Sequence, residues 1–200
     1  SLAAAGTLTM CFQIAASVSQ LGFGHLADRW RPRLLLLIGP IVCVTVLSAI
    51  GLADSSVVLG VVLVVGGLGG AAFHPPAAAL VHRLAGRRQG FAMALHITGG
   101  SLGFSLGPLL FAPVIQRMGL HWSPVVAIPG LLWIWLCLRR VPELPEAHSA
   151  ATDGGGFRAL RPYAFHLTML YLIVVLRTLA SLSFATFVPV MLTRRGVSVS

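Results

Sequence analysis

Six stretches of about twenty mostly apolar residues run through this chain, and they constrain its fold more than any other feature. They cover roughly 1–23, 34–54, 57–81, 90–114, 123–139 and 163–192. A helix of about 20 residues crosses a hydrocarbon core of about 30 Å. Within lipid every backbone N–H and C=O needs a partner, so repeated runs of this length specify spanning helices. Composition agrees: 56% of the residues are hydrophobic and only 10% are charged, against about 25% charged in a soluble domain. A net charge of +9 could suit a nucleic-acid binder, but too little polar sequence remains to build a soluble body with a basic face. The chain reads as an all-α, polytopic helical membrane protein whose partner is the lipid bilayer, with no nucleic acid.

All fourteen basic residues are arginine, and their positions map the topology. Arg29, Arg31 and Arg33 lie between the first and second spans, and Arg83, Arg87 and Arg88 between the third and fourth. Arg139, Arg140, Arg158 and Arg161 flank the segment 141–162. The opposite side carries Arg117, Arg194 and Arg195. Cytoplasmic loops are enriched in basic residues, so the side with ten arginines is expected to be cytoplasmic and Ser1 to start outside. The turns at Asp54-Ser55-Ser56 and around Arg117 to His121 are short. Cys11, Cys43 and Cys137 each sit in an apolar run without paired spacing, which suits buried thiols better than disulfides.

Segment 141–162 differs in kind. It holds three of the five acidic residues, the run Gly154-Gly155-Gly156 and prolines near its edges, and it reads as a flexible cytoplasmic linker. Neither this glycine run nor Gly66-Gly67-Leu68-Gly69-Gly70 has the Lys and Ser/Thr that complete a phosphate loop, so no cofactor is expected. The expected organisation is a bundle over 1–140, the linker over 141–162 and the first span of a second bundle over 163–200. Ser1 falls in apolar sequence without the basic region of a signal peptide. The chain is therefore expected to be a piece of a longer protein, truncated at both ends.

The string Gly24-His25-Leu26-Ala27-Asp28-Arg29-Trp30-Arg31-Pro32-Arg33 fills the first arginine-rich turn. Read alone, it is an ordinary charged turn in which Asp28 precedes a new helix and can cap its free N–H groups. It also resembles the loop between the second and third helices of major facilitator superfamily transporters, matching it at Gly24, Asp28, Arg29 and Arg33. Arg31 replaces the usual glycine and Pro32 a usual basic residue. The resemblance implies a major facilitator-like bundle in which Asp28, Arg29 and Arg33 help latch two bundles and gate alternating access.

A longer pattern joins Phe73-His74-Pro75-Pro76, Gly86-Arg87-Arg88-Gln89-Gly90 and Gly103-Phe104-Ser105-Leu106-Gly107-Pro108. It resembles the fosmidomycin-resistance group of that superfamily, with this chain covering about helices two to seven and the first helix missing. Pro76 stands where some relatives have glutamate, so no proton-titrating role is placed there. Gly99, Gly103 and Gly107 recur every four residues, a stripe that a neighbouring helix can approach closely. Pro108 removes a backbone donor and permits a kink. Static packing and a hinge or sliding surface are both open readings. Gly103 to Pro108 partly matches an antiporter signature, from which Ala94, Phe111 and Ala112 depart.

Arg177 lies near the middle of its span, roughly 15 Å deep. A charge there costs at least about 2.5 kcal/mol and needs a partner or a wet cavity. No acidic residue lies mid-span in this chain, so a missing helix, backbone carbonyls or an anionic substrate must supply the partner. Gln13, His74, His96 and Thr98 are the other polar side chains noted within spans. For Gln13 and Thr98, hydrogen bonding to a neighbouring helix is the favoured role. His74 is expected where the prolines locally break the helix, and it can titrate near neutral pH. No ligand cluster suggests a metal. Arg177, His74, His96 and Gln13 are the candidates for a central cavity.

The function expected from these residues and the resemblance is secondary active efflux of a small molecule, a drug or metabolite, by alternating access. Protons are the implied coupling ion, which suits an antiporter. The protein is expected to be a multi-pass, monomeric protein of the cell membrane and not an enzyme. Two alternatives remain: an intramembrane enzyme using His74 or His96 as acid or base, and a non-transporting sensor or scaffold. The enzyme lacks an accompanying nucleophile or carboxylate pair.

Overall fold

The computed structural model describes residues 2–29, 31–140 and 161–195. Trp30 and nearly all of the expected linker 141–162 lie outside them. The helices are α1 (Leu2–Arg29), α2 (Pro32–Ser48), α3 (Ser56–Leu84), α4 (Gln89–Met118), α5 (Ala127–Leu138) and α6 (Ala164–Arg194). Short 3₁₀ helices occupy Ala49–Leu52, Leu120–Val126 and Arg161–Tyr163, and no strand occurs among the described residues. The protein is an all-α bundle of membrane-spanning type. Five stretches are long and apolar enough to cross a membrane: Pro32–Leu52, Ser56–Leu84, Gln89–Met118, Leu120–Cys137 and Arg161–Phe184. α1 has the length, 28 residues, but is the least apolar helix, because Gln13, Ser17, Ser19 and Gln20 interrupt it.

α1 to α5 form one compact unit, and the stretch containing α6 forms another. Within the first unit α3 is central, packing along both α1 and α2. α5 lies on α2, while α4 touches α3 less extensively and meets the 3₁₀ turn at Leu120–Val126. The buried residues of α3 are small: Gly66, Gly67, Gly69, Ala71, Ala72, Pro76 and Ala77. Lipid is as apolar as leucine, so such helices associate by close packing of small residues rather than by expelling large side chains from water. A Cβ on Gly39 of α2 would come within 2.7 Å of the Gly69 carbonyl oxygen, and one on Gly69 within 2.6 Å of the Cys43 backbone nitrogen. The backbones of α2 and α3 therefore touch. α4 has no buried residue.

Local chemistry sets the helix ends. The Ser55 hydroxyl accepts a hydrogen bond from the Val58 N–H at 3.2 Å and caps α3. Gly119, with φ +88°, closes α4 in a conformation that favours glycine. Pro32 opens α2 at its first position, where a missing N–H costs nothing. Asp28 does not cap that helix, contrary to expectation: it belongs to the last turn of α1, and Arg31 holds the cap position without a side-chain hydrogen bond. Nor does α3 break at His74. The helix continues through Pro75 and Pro76, although these remove the donors that would serve the carbonyls of Ala71 and Ala72. Both alanines and Pro76 are buried, so packing against α1 and α2 holds the helix line. α4 likewise continues through Pro108 and Pro113. The span expected at 123–139 is α-helical only from Ala127, because Pro124 sits within the preceding 3₁₀ turn.

The short turns reverse the chain, so the α1–α2 connection, the α3–α4 connection and the end of α5 gather at one end of the unit. That end bears Arg29, Arg31, Arg33, Arg83, Arg87, Arg88, Arg139 and Arg140. The Arg139 guanidinium sits 4.3 Å over the Trp135 ring, a cation–π contact. At the opposite end the Gly51 N–H donates to the Ser123 hydroxyl at 3.0 Å, and Ser123 is completely buried. This bond clasps the α2–α3 turn to the α4–α5 turn.

Candidate functional site around Phe73 to Pro76

Four helices meet at the Phe73-His74-Pro75-Pro76 segment of α3. From α1, Gly24 lies against Pro75: a Cβ on it would be 3.9 Å from the proline ring. From α2, Gly39 is so close that a Cβ would come within 2.9 Å of the Phe73 backbone nitrogen. From α4, the His96 ring lies 6.3 Å from the Phe73 ring centroid, tilted by 44°. The His74 ring lies 5.9 Å from the same phenyl, tilted by 56°. These separations fall in the range of favourable aromatic pairs, about 4.5–7 Å. One phenyl is thus in ring contact with an imidazole from each of two helices.

His74 is exposed and His96 is half-buried. His74 precedes Leu84 by ten residues and His96 follows Gln89 by seven, placing them about 15 and 10 Å from the arginine-bearing helix ends at about 1.5 Å per residue. Both lie below the arginine layer rather than within it. Among the described residues, no three of His, Cys, Asp and Glu come together as a metal site.

The two motifs singled out in the sequence meet here through Gly24 and Pro75. Asp28 and Arg29 are exposed in the last turn of α1, and Arg33 is half-buried in the first turn of α2. Gln13, half-buried on α1, lies eleven residues before Gly24, about 16 Å away along the helix, so it is not part of this cluster. Thr98 is exposed on α4, two residues beyond His96. Arg177 is exposed at the centre of α6, a helix without acidic residues, and belongs to the other unit.

The α4 stripe looks different from its sequence reading. Among the described residues, a Cβ on Gly99, Gly103 or Gly107 would meet nothing within 4 Å, and Pro108 is exposed. Beside the stripe, the Ser101 and Ser105 hydroxyls donate to the carbonyls of Ile97 and Ser101, at 3.2 and 2.9 Å. Close helix approach occurs instead at Gly39, Gly67 and Gly69, which sequence reasoning passed over. The signal was present as Gly66-Gly67-Leu68-Gly69-Gly70-Ala71-Ala72, a patch small enough for two helices to reach at once. Gly39 gave none, being a single glycine among large apolar residues.

All 200 residues match the Major Facilitator Superfamily. The chain is 35% identical over 132 residues to the fosmidomycin resistance protein of Escherichia coli (strain K12), covering 64% of this chain and 32% of that protein. It is 29% identical over 141 residues to an uncharacterized MFS-type transporter of Mycobacterium tuberculosis, covering 70% of this chain and 24% of the relative. A third relative, an uncharacterized MFS-type transporter of Bacillus subtilis (strain 168), is 27% identical over 135 residues, covering 64% and 32%. The matched region spans about a third or less of the length of these curated relatives. No solved structure matches. With a family match along its whole length and a helical membrane bundle to carry it, the chain belongs to the Major Facilitator Superfamily.

Proposed function

We propose that this chain is part of a secondary active transporter that exports a small molecule from the cytoplasm by alternating access, coupled to protons. Family membership supports transport. The observation that carries the rest is the meeting of four helices at Phe73 to Pro76, where the gating-loop glycine, Gly24, bears on Pro75. In this reading Asp28, Arg29 and Arg33 form the cytoplasmic latch between two bundles, and the arginine-rich end faces the cytoplasm. Residues 141–162 are the cytoplasmic linker from the bundle 1–140 to the second bundle that begins at 163. His74, His96 and Gln13 on the first bundle and, separately, Arg177 on the second are the intramembrane polar side chains that serve the transport path. The stripe of Gly99, Gly103 and Gly107, with Pro108, is the sliding surface on which the rocking motion runs.

The relative named for fosmidomycin resistance supports a drug-sized substrate and makes fosmidomycin the compound to test. The full-length protein and its Arg177→Ala variant are expressed in a drug-sensitive bacterial strain, and intracellular fosmidomycin is measured. The expected result is lower accumulation with the intact protein, a gain lost on substitution. Equal accumulation with and without the intact protein would remove drug export from the proposal, and an active Arg177→Ala variant would remove Arg177 from the site.

A further inference from the structure

We infer that the arginine-bearing end of α5 binds an anionic phospholipid, its phosphate held by Arg139, Arg140 and Arg31 and an acyl chain lying along α5. The helix has two faces of different character. Gly130 marks the inner one: a Cβ on it would lie 3.0 Å from Cγ1 of Val44 on α2. Leu131, Ile134 and Cys137, on the same side, are half-buried. The opposite face carries Ile128, Leu132, Trp135 and Leu136, all exposed. At 3.6 residues per turn they form one apolar stripe that ends at Arg139.

The packing of α5 on α2 gathers further arginines at that point. The two helices run in opposite directions with Gly130 beside Val44. Nine residues onward from Gly130 is Arg139, and nine back from Val44 is Leu35, about 14 Å along each helix. Arg139 and Arg140 therefore stand level with the first turn of α2, next to Arg31 and Arg33. Arg33 is half-buried and already engaged within the protein, whereas Arg31, Arg139 and Arg140 are exposed. Among the described residues, Asp28 is the acid at this end. Glu143 and Glu146 follow in the chain, outside the described residues.

The chemistry of the corner matches a lipid rather than a soluble anion. Guanidinium N–H groups pair with phosphate oxygens in a bidentate fork, and basic clusters beside a membrane attract anionic headgroups. The Arg139 guanidinium is held 4.3 Å over the Trp135 ring, and tryptophan favours the boundary between headgroups and hydrocarbon. A free phosphate would use the arginines alone. The stripe from Ile128 to Leu136 adds the surface that an acyl chain covers. Residues 141–162 leave the bundle just after Arg140, so a lipid held here fixes their point of departure. The site requires a membrane-spanning chain and no particular cargo.

The test titrates the full-length protein in detergent with phosphatidylglycerol or with phosphatidylcholine of the same acyl chains, and native mass spectrometry reads the bound lipid. The intact protein should prefer phosphatidylglycerol by about tenfold or more. Arg139→Gln and Arg140→Gln should each weaken its binding about fivefold and leave phosphatidylcholine binding unchanged, while Arg87→Gln at the α3–α4 turn should have little effect. Phosphatidylglycerol with brominated acyl chains should quench the part of the fluorescence that Trp135→Phe removes. Equal affinities of the intact protein for the two lipids would overturn the site, whether or not any variant folds. Equal losses in Arg87→Gln and Arg139→Gln would reduce it to diffuse attraction toward a positive end. Displacement of the bound lipid by inorganic phosphate would make it a soluble-anion site. An unquenched Trp135 would mean that another segment of the full-length protein covers the stripe. Each of these three results also overturns the proposal.

Discussion

Two glycine-rich helices stand side by side in this protein and meet opposite fates. α3 places Gly67 and Gly69 against the backbones of α1 and α2, and Gly39 of α2 answers from the other side. α4 carries a more regular pattern, Gly99, Gly103 and Gly107, which none of the described residues approaches within 4 Å of an added Cβ. The comparison teaches that glycine spacing reports which helix face can be approached, not which face is. Contact of backbone with backbone on both sides, as at Gly39 and Gly69, needs a second helix whose own surface is small at the same height. α2 meets that condition at Gly39.

The sharpest way to break this comparison is Gly39→Val. Its branched side chain would drive into the Gly69 carbonyl and the Phe73 backbone, neither of which can rotate away. Overpacking typically costs about 1–3 kcal/mol and more when backbones must part, so thermal melts of the full-length protein should show a loss of about 3 kcal/mol or greater. An unchanged melt would mean that α2 and α3 do not touch there. A smaller effect is expected from Ser123→Ala, which leaves the Gly51 N–H without its acceptor at the far end. The loss should be about 1–3 kcal/mol and should be restored by Ser123→Thr if the hydroxyl alone matters. The smallest change in stability belongs to Gly103→Ala. With open space around the Cβ, alanine's better helix propensity should leave the melt unchanged or raise stability by up to about 1 kcal/mol, while drug export falls if the stripe is a moving surface. A loss comparable with that of Gly39→Val would show that a helix covers the stripe in the intact protein, and the contrast between the two seams would dissolve.

Much of the fold was legible in the sequence because a bilayer imposes a length rule on each span separately. The helices at 34–54, 57–81, 90–114 and 163–192 follow from that rule and need no knowledge of their neighbours. The local surprises arose where neighbours decide. A proline pair at 75–76 would break an isolated helix, but α3 is held in place from α1 and α2. Asp28 looked like the start of a new helix; α1 instead runs on to Arg29, and Pro32 makes a side-chain cap unnecessary. The candidate site was half legible: Gly24 and the Phe73-His74-Pro75 run were both singled out, but their contact was not. Fifty residues separate Gly24 from His74, and no pattern along the chain records which helix faces lie against one another.

By itself, then, the sequence determined that this protein is a set of spanning helices with an arginine-rich end, because apolar length and basic charge act on each segment through the solvent it meets. It also carried the family through short motifs. Only the tertiary structure decided which glycines touch, which remain open, and that His74 and His96 share one phenyl. Those outcomes depend on pairwise fit between helices, where a shift of less than 1 Å separates contact from clash.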